Sequence, residues 1–195
     1  MGTFSSQFSE AGPGGWQSGR RAMLGGMEEM VEVRDELGRP LRVVPRSVMR
    51  RGNLRHGATG IMAVNSSGQV YVHRRTDTKD VYPGFHDFAA GGVISAGEDP
   101  PDSARRELAE ELGITGVVLE FMGEADYRDE RIDLHAWLYR VRWDSPNVHQ
   151  PSEVAWGRWM DVEEVQTMID DPALDVMPDA VALWTAVDWR RGLTG

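Results

Sequence analysis

Cysteine is missing from all 195 residues of this chain. That absence excludes disulfides, zinc–thiolate centres and cysteine nucleophiles. Long apolar runs are missing too: nothing approaches the roughly 20 residues that a membrane-spanning helix requires. The opening MGTFSSQFSEAGPGGWQSGRR lacks the apolar core of a secretory signal, so the expected location is cytoplasmic. Positive charge is scarce. The chain carries 21 Lys and Arg against 31 Asp and Glu, a formal net charge of −10. A surface that binds nucleic acid polymers or acidic membranes needs the opposite sign, so neither is expected as a partner. Small phosphorylated ligands stay open, because a metal can supply the missing charge.

Apolar residues make up 41% of the chain, enough for the core of one ordinary domain. Residues 1–28 are rich in Gly and Ser and read as a disordered tail ahead of a domain over 29–195. MVEVRDELGRPLRVVP predicts two short strands around a turn, and PRSVMRRGN a helical turn. HGATGIMAVNSSGQVYVHRR predicts a hairpin around Asn65–Gly68. A polar loop and a glycine-rich strand over 89–94 follow. The clearest helix is 99–112, with Asp99 as N-cap, Pro100 in the first turn and Gly113 as the residue that ends it. Strands are expected over 117–122, 134–141 and 153–162. Asp161 and Glu164 form a capping box for a further helix, and the last helix is expected over 178–191. Strands, helix, strands, helices, without an internal repeat, suggest a layered α/β or α+β domain.

At 100° per residue, Glu107, Glu110 and Glu111 share one face of the 99–112 helix, beside an apolar stripe of Ala104, Leu108 and Leu112. Like charges at this spacing repel. Two readings compete: a solvated acidic face partnered by Arg105 and Arg106, or a site for a hard cation such as Mg²⁺, which takes carboxylates and phosphate oxygens. Gly91, Gly92 and Gly97 add to the second, since glycines let a backbone carbonyl approach a ligand.

The stretch GGVISAGEDPPDSARRELAEELGI resembles a Nudix box. Gly92, five residues, Glu98, seven residues, then Arg106-Glu107-Leu108-Ala109-Glu110-Glu111-Leu112-Gly113-Ile114 match every specified position. The resemblance implies an α/β/α sandwich with a mixed sheet. It implies hydrolysis of a nucleoside diphosphate linked to another moiety, or a related organic diphosphate, with Mg²⁺ or Mn²⁺. It makes Glu107, Glu110 and Glu111 metal ligands, Glu107 also a candidate base, and the Gly91 carbonyl a further ligand. Arg106 would orient the glutamates, and Glu98 would support the loop or its waters. Glu153 falls where the family often places a late metal-binding or catalytic glutamate. The implied partners are a small-molecule diphosphate and, as members often pair, a homodimer.

The flanks, HGATGIMAVNSSGQVYVHRRTDTKDVYPGFHDFAAGGV, are similar to the isopentenyl-diphosphate-isomerase-like branch. By that similarity Arg75 and Lys79 hold phosphate, and His56 aligns with a metal-binding histidine. The branch's acid/base cysteine is absent, Gly91 standing in its place, which leaves a hydrolase ahead of an isomerase. A silent domain that binds a phosphorylated ligand is the third reading. Trp156 and Trp159 are expected in the sheet core, and Tyr82 and Phe85 beside the pocket.

Overall fold

The structure is a computed structural model that describes residues 28–191. The expected N-terminal tail, apart from Glu28, lies outside the described residues. Strand β1 (Met30–Arg34) pairs antiparallel with β2 (Pro40–Pro45), and α1 (Arg46–Arg51) follows. Strands β3 (His56–Val64) and β4 (Val70–Arg75) form the expected hairpin, turned by Asn65, whose Oδ1 accepts from the backbone N–H of Ser67 and of Gln69.

That hairpin splays. Only Val64 and Val70 pair across it. Below that point β3 turns to other partners: β1, an antiparallel β6 (Ala90–Val93) and a parallel β8 (Asp133–Arg142). Strand β4 pairs instead with β5 (His86–Asp87) and β9 (Val154–Met160), and β7 (Glu120–Arg128) completes the sheet against β8. The reason is in the residues of β3. HGATGIMAV has no polar alternation and every position is buried, as a strand with partners on both edges and cover on both faces requires.

Helix α2 (Pro100–Leu112) covers one face of the sheet. Its Ala104, Leu108 and Leu112 pack with Ile61, Tyr139 and Val141. Helices α3 (Val162–Asp170) and α4 (Pro178–Ala186) cover the other, where Val165, Met168, Ala180 and Leu183 join Met62, Val72 and Leu138. The result is the expected α/β/α sandwich on a mixed sheet. Gly113 ends α2 at φ 67°, in the left-handed region that glycine enters freely. Asp99 stands at the N-cap but its side chain makes no capping hydrogen bond, while Asp161 and Glu164 do form a capping box.

Helix α4 is shorter than the expected 178–191. Val187 is extended (φ −132°, ψ 154°) and ends it; the chain then folds back so that the Trp189 indole donates to the Leu183 carbonyl. The apolar spacing beyond Ala186 therefore reflects a packed return, not another helical turn. Trp156 also departs from expectation. It is exposed, edge-on to His86 at 5.5 Å, because β9 has β4 on one side and alternates its side chains outward there. Among the described residues no helix is long and apolar enough to cross a membrane.

Candidate active site

The site forms where β6 delivers its glycines to the acidic face of α2. Each glycine is required for a different reason. A Cβ on Gly91 would lie 2.0 Å from the Thr59 carbonyl oxygen in β3. A Cβ on Gly92 would lie 2.5–2.8 Å from the Glu107 carboxylate. The first glycine lets β6 close on β3; the second leaves room for the Glu107 side chain.

Arg106 organises the outer part of the site. Its Nε and Nη2 donate to the two oxygens of Glu98, both at 2.9 Å, and Nη1 donates to Glu107 Oε1 at 2.6 Å. Glu110 lies 3.5 Å from the same guanidinium and is half exposed. The hydrogen bond from Arg106 holds the Glu98 carboxyl below its ordinary range. Burial pushes the Glu107 carboxyl up, with Arg106 opposing. Glu98 is thus a positioning group for Arg106, and Arg106 for Glu107.

The inner part is drier. Glu111 is 4% exposed. Its Oε2 accepts from the Gly91 backbone N–H at 3.1 Å, and Lys79 Nζ donates to its Oε1 at 3.4 Å. Burial pushes this carboxyl up to about 7, with Lys79 pulling it back in part. The same ammonium contacts Glu153, just ahead of β9, so two distant segments meet on one lysine. Among the described residues no three carboxylates or imidazoles converge to hold an ion as they stand; each acid is turned onto a basic partner. The donor set still fits a hard cation. It is all oxygen, and Glu98, Glu107, Glu110, Glu111 and Glu153 face only Arg106 and Lys79 within these ion pairs.

The Arg75 side chain is largely buried, and two of its donors are already used. Its Nη2 and Nε donate to the carbonyls of Val81 (3.1 Å) and Tyr82 (3.3 Å), clamping the loop over 76–85. Tyr82 is buried, strained at φ 50°, and hydrogen-bonded to Asp129, so it shapes the loop that carries Lys79. His56 is buried, its Nδ1 on the Leu54 carbonyl, and burial lowers it to about 4; it is a neutral packing residue here.

A cavity of about 120 Å³ adjoins the glycines, lined by Arg75, Lys79, Thr59, Asp87 and Asp179 among others. Asp179 carries no signal in the sequence, because an acid in the first turn of a helix is explained by the helix dipole alone. Its Oδ1 is sealed from solvent without a hydrogen-bond partner. Burial, and then Asp87, push the carboxyl up to about 7. A folded-state value above the ordinary 3.8 means that stability is lost as pH rises from about 4 to about 7. Asp179→Asn removes that loss. The expected result is a melting temperature raised at pH 8 and unchanged at pH 4, at roughly 2–4 °C per kcal/mol recovered for a chain of this size. Equal shifts at both pH values in a thermal scan would contradict it.

Residues 54–180 match the family model described as NUDIX domain. A Nudix hydrolase of Rhodococcus erythropolis, orf19, is 37% identical over 178 residues, covering 86% of this chain and 96% of the relative. The Nudix hydrolase YfcD of Escherichia coli K12 is 36% identical over 156 residues, covering 80% and 86%. Among solved structures, DR0079 from Deinococcus radiodurans has the same fold, with a TM-score of 0.69 at 21% identity over 80% of this chain and 96% of that one.

Proposed function

Since this chain belongs to the NUDIX domain family of hydrolases, we propose that it is a divalent-metal-dependent hydrolase of a nucleoside diphosphate derivative or related organic diphosphate. The observation that carries this reading is the set of carboxylates gathered beside Gly91 and Gly92, Glu111 among them buried, which outnumber their basic partners. Glu107, Glu110, Glu111 and Glu153, with the Gly91 carbonyl, would hold Mg²⁺ or Mn²⁺. Bound there, the cation would neutralise the diphosphate and acidify a water.

The remaining steps belong to the chain. Glu107 accepts the proton from the attacking water, its carboxylate aimed by Arg106 at 2.6 Å and given room by Gly92. The water oxygen bonds to one phosphorus, the bridging P–O bond breaks, and the two phosphate products separate. Lys79 and Arg75, which both line the cavity, supply positive charge to the phosphate oxygens. Glu98 fixes Arg106 and touches no substrate.

An isomerase needs an acid/base cysteine where Gly91 stands. The Thr59 carbonyl fills that space, so no side chain fits without moving β3. The hydrolase reading is therefore preferred. The test is release of phosphate and nucleotide with Mg²⁺ across nucleoside triphosphates, sugar nucleotides, dinucleotide cofactors, coenzyme A and isopentenyl diphosphate, with Glu111→Gln alongside. The expected result is one substrate class turned over by the wild type and not by the variant. If nothing is turned over while a panel member raises the melting temperature, the chain is a binding domain instead.

A further inference from the structure

Lys79 is the only lysine in the chain; every other basic residue among the 21 Lys and Arg is an arginine. It stands between two carboxylates, on Glu111 of α2 and Glu153 before β9. Arginine would lock such carboxylates with a rigid fork. Lysine instead offers a compact, strongly hydrated charge on a flexible stem. Its backbone is held: the Lys79 N–H donates to the Thr76 carbonyl, and Arg75 clamps Val81 and Tyr82 on the far side of the loop. The stem is therefore the part free to move, and Lys79 also lines the cavity beside Gly91, Gly92 and Arg75.

We propose that the Lys79 ammonium is an exchangeable counter-ion. It occupies Glu111 and Glu153 in the metal-free protein, competes with a divalent cation for them, and on displacement turns to a phosphate oxygen of the substrate. This rests on the hydrolase reading above. Its consequence is that metal entry and phosphate capture are coupled: each favours the position of Lys79 that the other needs. A lysine that merely held the site in shape would behave oppositely, since its loss would weaken metal binding.

Two measurements on the full chain decide the matter. In Lys79→Met, Mn²⁺ affinity measured by calorimetry should rise about tenfold, within the usual range for coupled sites. KM for a hydrolysed diphosphate should rise, because a phosphate contact is gone. In the wild type, labelling with ¹⁵N-lysine places one side-chain amine signal in the spectrum, and this signal should shift on Mg²⁺ titration with the midpoint of metal binding. An unmoved signal, or Mn²⁺ binding in Lys79→Met no tighter than in the wild type, overturns the proposal and leaves a metal-dependent hydrolase standing. If the wild type takes up no Mn²⁺ and turns over no diphosphate, the hydrolase reading falls with it.

Discussion

Glu107→Gln should leave the fold intact and lower the turnover of any diphosphate the chain hydrolyses by about 10³-fold, within the range for loss of a positioned acid–base group. The substitution keeps volume and shape. It removes the charge that Arg106 holds at 2.6 Å and the carboxylate oxygen that would take a proton. Burial already raises this carboxyl, so the neutral amide costs the folded state little. Unfolding midpoints should therefore match the wild type while steady-state kinetics collapse, and Mg²⁺ affinity should fall too. Wild-type turnover and Mg²⁺ affinity in the variant would remove Glu107 from the site.

Gly91→Ala and Gly92→Ala, one residue apart, should fail in different ways. The methyl group that Gly91→Ala adds would meet the backbone carbonyl of Thr59 at 2.0 Å, between strands fixed by β8 and α2, and backbone cannot step aside. A loss above about 4 kcal/mol is expected, in the exceptional range for one substitution, and urea denaturation would read it directly. The methyl group that Gly92→Ala adds meets the movable end of Glu107 instead. That protein should fold and be poorly active, because the carboxylate must leave its place beside Arg106. A stable Gly91→Ala, or a fully active Gly92→Ala, would show that the two glycines have been misassigned.

What could be read from residues alone follows from how local the chemistry is. The acids of α2, the arginine that serves them and the glycines that admit them lie in one continuous stretch, so spacing along a single helix was enough. Glu153 was legible only by resemblance; its meeting with Lys79 depends on β9 folding back along β4. Asp179 and Thr59 gave no signal, since one looks like an ordinary helix-start acid and the other like a strand residue. The hairpin over 56–75 was visible in its turn, but not the parting of its strands, which depends on β6 and β8 arriving from far along the chain. The shortened α4 shows the same limit: apolar spacing marks burial, and a packed return buries Trp189 as well as a helix would.

The pairing of β3 with β8 has a kinetic meaning. His56 lies opposite Leu134 and Val64 opposite Arg142, parallel strands whose connection includes β4, β6, α2 and β7. Such contacts close large loops before they return any stability, and they slow folding. During synthesis, the stretch carrying the box emerges well before β8 can join β3. Helix α2 can form early, but its carboxylates gain a rigid floor only when the late strand docks. A ribosome stalled before residue 133 would thus display the whole motif on a chain without a completed sheet, and that nascent chain should be open to proteolysis until β8 is released.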